Sequence, residues 1–331
     1  MGGFLSAIGE VFQGFWEILT SPTMYGSAAR LGGFLAFAAL GELVAEKAGT
    51  INISVEGSLL SGAFTGVLAY HYTGSSVLGL VAGMAGGLLI AVIQGNMSHR
   101  LTADQFVVGL TANVLVLGLA GFLNGIIGPV ARRAAVWEIP LLSDIPLIGP
   151  ALFGQTWPTY LLYPLIPLTW WLLYRTRWGL EVRAVGENPG AADVSGIDVN
   201  KRRRQAIYYG GILAGLGGAF LVLGQVGSFT TGAVGGRGFI AIAAVYFGGW
   251  RLGGVLIGSF LFGLADAFRL ALPSILGNVD PPLDGPLVDA LSNAQFLAAL
   301  PYLMTLVVMY AITKQFRQPA ALSRPFIRGI R

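Results

Sequence analysis

The sequence predicts an all-α polytopic membrane bundle of about 8–10 transmembrane segments, and three observations predict it. Of its 331 residues 54% are apolar and only 11% charged, where soluble domains carry roughly 25% charged residues. Apolar stretches of about 17–25 residues, each able to cross roughly 30 Å of hydrocarbon as a helix, recur along the whole length. Most of the 49 glycines fall inside these stretches, as in Gly83-x-x-x-Gly87, Gly211-x-x-x-Gly215 and Gly254-x-x-x-Gly258, a spacing that lets helices approach closely.

Residues 1–27 are expected to form an N-terminal interfacial segment. The run 4–19 carries Glu10 and Glu17 on an otherwise apolar sequence, which suits a helix lying in the membrane surface, and it lacks the basic start of a cleaved signal peptide. A membrane domain follows over 28–313. Its spans are read near 28–46, 52–72, 76–97, 105–127, 157–174, 205–226, 237–249, 253–271 and 294–313. Two of them look like broken helices: the β-branched, glycine-bounded run near 49–57 and the short, glycine-flanked segment 237–249. Irregular backbone is tolerated at membrane depth only where protein buries it or it lines a cavity.

Orientation follows from the basic residues. Seven Lys and Arg residues lie in 175–204 and five in the tail 314–331, twelve of the twenty in the chain, so both segments are assigned to the cytoplasm. The loops 128–156 and 273–293 then face outward, although Arg132 and Arg133 in the first run against the charge rule. Trp170, Trp171 and Trp178 on the inner side, with Trp137 and Trp157 outside, fit aromatic belts at the two interfaces.

The cytoplasmic segment 175–204 carries the most informative punctuation. Asn188 is a good helix N-cap, Pro189 suits the first helical position and Gly196 suits the residue just past a helix end. The spacing predicts a two-turn helix over 189–195. A rigid capped element between spans can dock in a groove and carry rigid-body movement from a soluble motor; it also fits an ordinary capped loop beside a positive-inside cluster.

Within the membrane, Asn52 and Glu56 would share a helix face. A carboxylate at that depth is costly, so Glu56 either lines a path or accepts hydrogen bonds from backbone amides freed by the helix break. Asn113, well inside its span, either binds a polar solute or joins two helices. Asp266 and Arg269, three apart, are expected to pair locally. The chain has no cysteine and two histidines, His71 and His99, neither near a second candidate ligand, so no metal site or cofactor is expected.

Three segments together resemble the permeases of ABC importers for nucleosides and simple sugars, the family that includes ribose and galactose permeases. They are Glu46-Lys47-Ala48-Gly49-Thr50-Ile51-Asn52-Ile53-Ser54-Val55-Glu56-Gly57; Ala103-Asp104-Gln105 with Gly109, Leu110 and Asn113; and Arg183-Ala184-Val185-Gly186-Glu187-Asn188-Pro189 with Ala191, Ala192, Gly196 and Ile197. The second is similar to the shorter of the paired nucleoside permeases, and the first differs from the aspartate-serine-glycine run of ribose-type members. The turn Gly248–Gly254 lacks a proline usual near its middle. The resemblance covers 28–312, and Asn52, Glu56 and Asn113 are the candidate substrate-path residues read from their chemistry within it. The resemblance implies contact with a cytoplasmic ATPase through Arg183, Glu187, Asn188, Pro189, Ala191, Ala192 and Gly196. An extracytoplasmic substrate-binding protein and a longer paralogous permease are the other implied partners.

The bilayer is the solvent in either case, and nothing points to nucleic acid. No G-x-x-x-x-G-K-[ST] loop occurs in the sequence, so ATP hydrolysis is expected on a separate subunit. No acid, His or Cys constellation suggests an enzyme. The alternative is a secondary transporter coupled to an ion gradient, which would need several buried ionisable groups near the midplane.

Overall fold

The computed structural model describes residues 20–127, 136–138, 152–276 and 318–328 together with scattered positions elsewhere. Most of the N-terminal run 4–19, of the loop from 277 to 293 and of the span near 294–313 lies outside the described residues. The described helices are α1 (Pro22–Lys47), α2 (Val55–Thr73), α3 (Ser76–His99), α4 (Gln105–Ile127), α5 (Leu162–Arg175), α6 (Arg177–Glu187), α7 (Pro189–Val194), α8 (Val199–Phe220), α9 (Arg237–Phe247) and α10 (Leu252–Leu276). A two-stranded pair joins β1 (Val136–Glu138) and β2 (Gly154–Thr156). Among the described residues five helices are long and apolar enough to cross a membrane.

The chain divides into two compact units. The first comprises 1–32, 136–155 and 260–311. In it Met24 and Ala28 pack against Ala267, with Tyr25, Leu31, Leu264 and Phe268 around them, and Arg269 pairs with Asp266 at 3.0 Å. The second comprises 33–135, 156–259 and 312–331 and holds every candidate site residue.

The second unit is organised by α2, α3 and α8, which pack against one another. The Gly83/Gly87 face of α3 meets the Gly211/Gly215 face of α8 backbone to backbone: a Cβ on Gly215 would overlap the carbonyl oxygen of Gly83. Gly254 and Gly258 instead back onto Gly248 and Ala244, at the end of α9. Lipid gives apolar side chains no reason to leave it, so close van der Waals packing of small residues supplies what holds such helices together.

Several element boundaries differ from the sequence reading: α1 begins at Pro22, within the expected interfacial segment, and α10 continues to Leu276, into the expected outward loop. The helix α8 begins at Val199, not 205, because the Asp198 side chain accepts the Lys201 amide at 2.8 Å and so caps it. The basic cluster 201–204 is therefore helical, and Arg203 in it is 0% exposed. At its other end α8 continues as π-helix over Leu221–Val226 until Gly227 at φ +80°. A further helix, α6, occupies what reads as loop; Thr176 caps it by accepting the Gly179 amide at 3.0 Å, and Gly179, Val182, Val185 and Gly186 form its buried face. The span read over 157–174 opens as a 3-10 turn, Trp157–Leu161, before α5.

Candidate functional site

The centre of the second unit is the irregular segment 48–54 between α1 and α2. The helix α1 ends in a Schellman motif: Gly49, at φ +80°, donates to Glu46 O at 2.9 Å and Thr50 donates to Ala45 O at 3.2 Å, and glycine meets this left-handed position without a Cβ penalty. The backbone then turns while Thr50, Asn52 and Ser54 are each 0% exposed. Buried backbone polar groups need partners, and here side chains from three helices supply them.

From α1, Glu42 accepts the Asn52 amide at 2.9 Å. From α4, Gln105 accepts from the Thr50 hydroxyl at 3.0 Å and from the Ile51 amide at 3.1 Å, while its own backbone carbonyl accepts from Gln94 of α3 at 3.0 Å. His99, at the end of α3, meets the Thr50 hydroxyl at 2.8 Å. Ser54 donates to Asn52 Oδ1 at 2.8 Å. Asp104 caps α4 by accepting the Phe106 and Val107 amides at 2.9 and 3.0 Å. Asn113 donates to Ile53 O at 2.9 Å and accepts the Gly57 amide at 2.8 Å, so both ends of its amide join α4 to the start of α2.

Glu56 connects the two broken segments. Its carboxylate accepts the Gly236 amide at 2.8 Å through Oε1 and the Gly238 amide at 2.7 Å through Oε2. These donors belong to the N-terminus of α9, where amides lack intrahelical partners and the helix dipole favours negative charge. The approach is close: a Cβ on Gly238 would lie 2.7 Å from Glu56 backbone atoms. The freed amides that Glu56 satisfies are thus those of the second break, 180 residues away in sequence. Beside them Arg237 donates to Ala233 O at 3.0 Å and lies over the Phe34 ring at 5.8 Å.

Of the three path candidates, Glu56 and Asn113 are committed to backbone groups. Asn52 is fully buried, and its Nδ2 has no hydrogen-bond partner among the described residues. Sequence reasoning passed over Glu42, Gln94 and Gln105 as parts of this network and left His99 without an assigned contact. For Glu42 and Gln94 the local signal was a polar residue within an apolar stretch, and Gln105 stood in the Ala103-Asp104-Gln105 motif without an assigned role.

The second candidate region is α7. Asn188 stands between α6 and α7 with φ −146°, ψ 88°, and its Oδ1 accepts the Ala191 amide at 3.0 Å. Pro189 follows at the first helical turn. The helix closes in a second Schellman motif: Gly196, at φ +85°, donates to Asp193 O at 2.9 Å and Ile197 donates to Ala192 O at 3.0 Å. Ile197 and Ala192 also touch within a cluster that includes Val185, Val199 and Phe326, the apolar contact usual for this motif.

Ala191 and Ala192, grouped together by the sequence, differ in exposure. Ala192 is 4% exposed in the cluster, whereas Ala191 is exposed and Val194 is 90% exposed. Glu187 and Asn188 are exposed. Arg183 turns back on α6, donating to Gly179 O at 3.3 Å and lying over the Tyr174 ring at 5.2 Å. Beside α7 a cavity of about 660 Å³ is lined by residues that include His99, Arg100, Asp193, Asn200 and Arg204.

The family model described as branched-chain amino acid transport system, permease component, matches residues 24–313. The chain is 37% identical to a candidate glucose ABC transporter permease of Haloferax volcanii, over 89% of this chain and 94% of the relative. It is 34% identical to the guanosine ABC transporter permease NupQ of Bacillus subtilis, over 90% of this chain and 94% of the relative. Among solved structures, a candidate metal-chelate type ABC transporter in an inward-facing conformation shares the fold with TM-score 0.50 at 15% identity, covering 87% of this chain and 85% of that one.

Proposed function

The chain belongs to the family of branched-chain amino acid transport system permease components, and from that membership we propose that it lines the translocation path of an ABC importer for nucleosides or related simple sugars. It is a multi-pass protein of the prokaryotic plasma membrane. The observation that carries the substrate class is the likeness to a guanosine permease and a candidate glucose permease over about nine-tenths of the chain. Both of those named solutes are polyhydroxylated and uncharged. Neither the family nor these relatives support the ion-coupled alternative.

In this reading a separate cytoplasmic ATPase receives α7 in a groove, an extracytoplasmic binding protein delivers the solute, and a longer paralogous permease completes the pore. Asn52, Glu56 and Asn113 act on the path by shaping it: they hold the segment 48–54 and the N-terminus of α9 in place. Uptake of a radiolabelled panel of purine and pyrimidine nucleosides, ribose and glucose, in cells with and without this subunit, tests the assignment. Equal uptake of every member in both strains would sink it.

The contact with the ATPase is tested by tryptophan at Ala191. Its side chain is exposed on α7, so the substitution leaves the fold intact while obstructing close approach. Co-purification of the ATPase and uptake are expected to fall about tenfold or more, a coupling loss in the usual range. Ala192→Trp acts differently: it overpacks the cluster of Val185, Val199 and Phe326 and is expected to lower stability by about 1–3 kcal/mol. Uptake at the normal rate in Ala191→Trp would remove α7 from the interface.

Orientation has its own test, since the chain contains no cysteine. A cysteine at Thr73, the exposed last residue of α2, is expected to react with an impermeant thiol reagent on intact cells. A cysteine at Ser195 is expected to react only after permeabilisation. Labelling in the reverse pattern would invert the topology.

A further inference from the structure

The sequence marks the tail only as basic, yet residues 319–328 lie across four other elements. The Ala321 amide donates to Gly186 O at the end of α6 at 2.9 Å, and the Ser323 amide donates to Gly49 O in the turn after α1 at 3.1 Å. Asn200, on α8, donates through Nδ2 to Phe326 O at 3.3 Å. The Phe326 ring packs on the cluster that contains Ala192 of α7, Val185 of α6 and Val199 of α8. Arg328 pairs with Asp193 of α7 at 3.3 Å.

Arg203 lies beneath this crossing. It is 0% exposed and donates to Ala48 O at 3.2 Å, to Arg324 O at 2.6 Å and to Ala321 O at 3.4 Å. A guanidinium presents five donors in a rigid fork, and here the fork joins the C-terminus of α1 to two carbonyls of the tail. A cation also suits that helix end, where carbonyls point outward. Burying the charge is expensive unless such partners surround it.

We propose that residues 319–328 form a strap that makes α7 and the buried segment 48–54 one mechanical body, with Arg203 as the positioning residue at the junction. The inference rests on the reading of α7 as the helix driven by the ATPase. Asn188 and the left-handed Gly196 bound α7, both outside regular helix, and between them Ala192 packs on Val185 of α6 and Val199 of α8. The strap ties this cluster a second time to the turn after α1, beside the direct bond from Arg203 to Ala48 O. Movement of α7 passes through Phe326 and Ala321 to Gly49 and Ala48, and three to eight residues further on lie Asn52, bonded to Glu42 of α1, and Glu56, which holds the N-terminus of α9. Coupling carried this way needs contiguous packed and hydrogen-bonded groups, and each contact above is one. The Arg328 pair is not the carrier, because Arg328 is 80% exposed and exposed ion pairs contribute little.

The test uses the complete transporter in proteoliposomes, with its ATPase and binding protein, and measures solute moved per ATP hydrolysed. The solute is the one identified by the uptake panel. Phe326→Gly is expected to retain the ATPase on co-purification and to retain hydrolysis, while the ratio falls about tenfold. In the same variant hydrogen exchange at 48–54 is expected to quicken. Phe326→Leu restores apolar packing and is expected to restore the ratio, and Arg328→Ala leaves it unchanged. If Phe326→Gly does not accumulate in the membrane, Asn200→Ala, which removes one bond to the strap, carries the same measurement with a smaller fall in the same direction.

An unchanged ratio, or uptake and hydrolysis falling in proportion, overturns the strap. Loss of the ATPase from the Phe326→Gly complex also overturns it, since the tail would then be docking surface and not a link. Uptake that continues with no ATPase present is a different failure, that of the importer reading itself.

Discussion

Valine at Gly218 is expected to leave little folded protein in the membrane. Gly218 lies in α8 where it crosses α2, and even a single Cβ there would overlap the carbonyl oxygen of Leu59 and come within 2.9 Å of the Ala63 amide nitrogen. These are backbone atoms of a helix and cannot step aside as a flexible side chain would. Overpacking a core costs about 1–3 kcal/mol where side chains can shift, and a branched side chain against fixed backbone sits at or beyond the upper end. The measurement is the thermal midpoint and yield of detergent-extracted protein. Gly118→Ala is the control: nothing lies within 4 Å of a Cβ there, and alanine in a helix interior is better than glycine by roughly 0.5–1 kcal/mol. Equal midpoints for Gly218→Val and the parent chain would mean that α2 and α8 are not packed in this way.

The second large effect is expected at Glu56. Leucine there removes the acceptors of the Gly236 and Gly238 amides, and each lost bond to a charged group costs about 1.5–3 kcal/mol. The loss concentrates on α9, an 11-residue helix too short to be stable by itself. Glu56→Leu is therefore expected to insert in the membrane but lose uptake, with hydrogen exchange accelerated at 235–240. Glu56→Gln should fall between, because an amide offers one acceptor oxygen and turns an NH2 donor toward the other amide. If both variants transport at the parent rate with unchanged exchange, the bond between the two breaks has no part in the path.

The spans could be read from composition because lipid imposes a simple demand: an apolar stretch long enough to cross, with its backbone satisfied internally. The caps of α7 could be read for a related reason, since Asn188, Pro189 and Gly196 act within a few residues of themselves. The start of α8 was missed although Asp198 is a cap of the same kind, because the charged run 201–204 reads as a solvated loop. That run contains Arg203, buried by carbonyls at positions 48, 321 and 324, contacts that no local pattern announces.

What the sequence determined by itself was the class of fold, the places where helices break and the ends of the short capped helix, all of which follow from local composition and backbone preference. The tertiary structure decided which broken segment answers which. Glu56 could have bonded the amides of its own helix start, and it reaches those of α9; Asn113 could have faced a solute, and it joins α4 to α2. Ala191 and Ala192 look equivalent in the chain, yet only one is exposed. The reason is physical: a hydrogen-bonding group in a low-dielectric interior must find a partner, but which partner depends on the helices that packing brings alongside it.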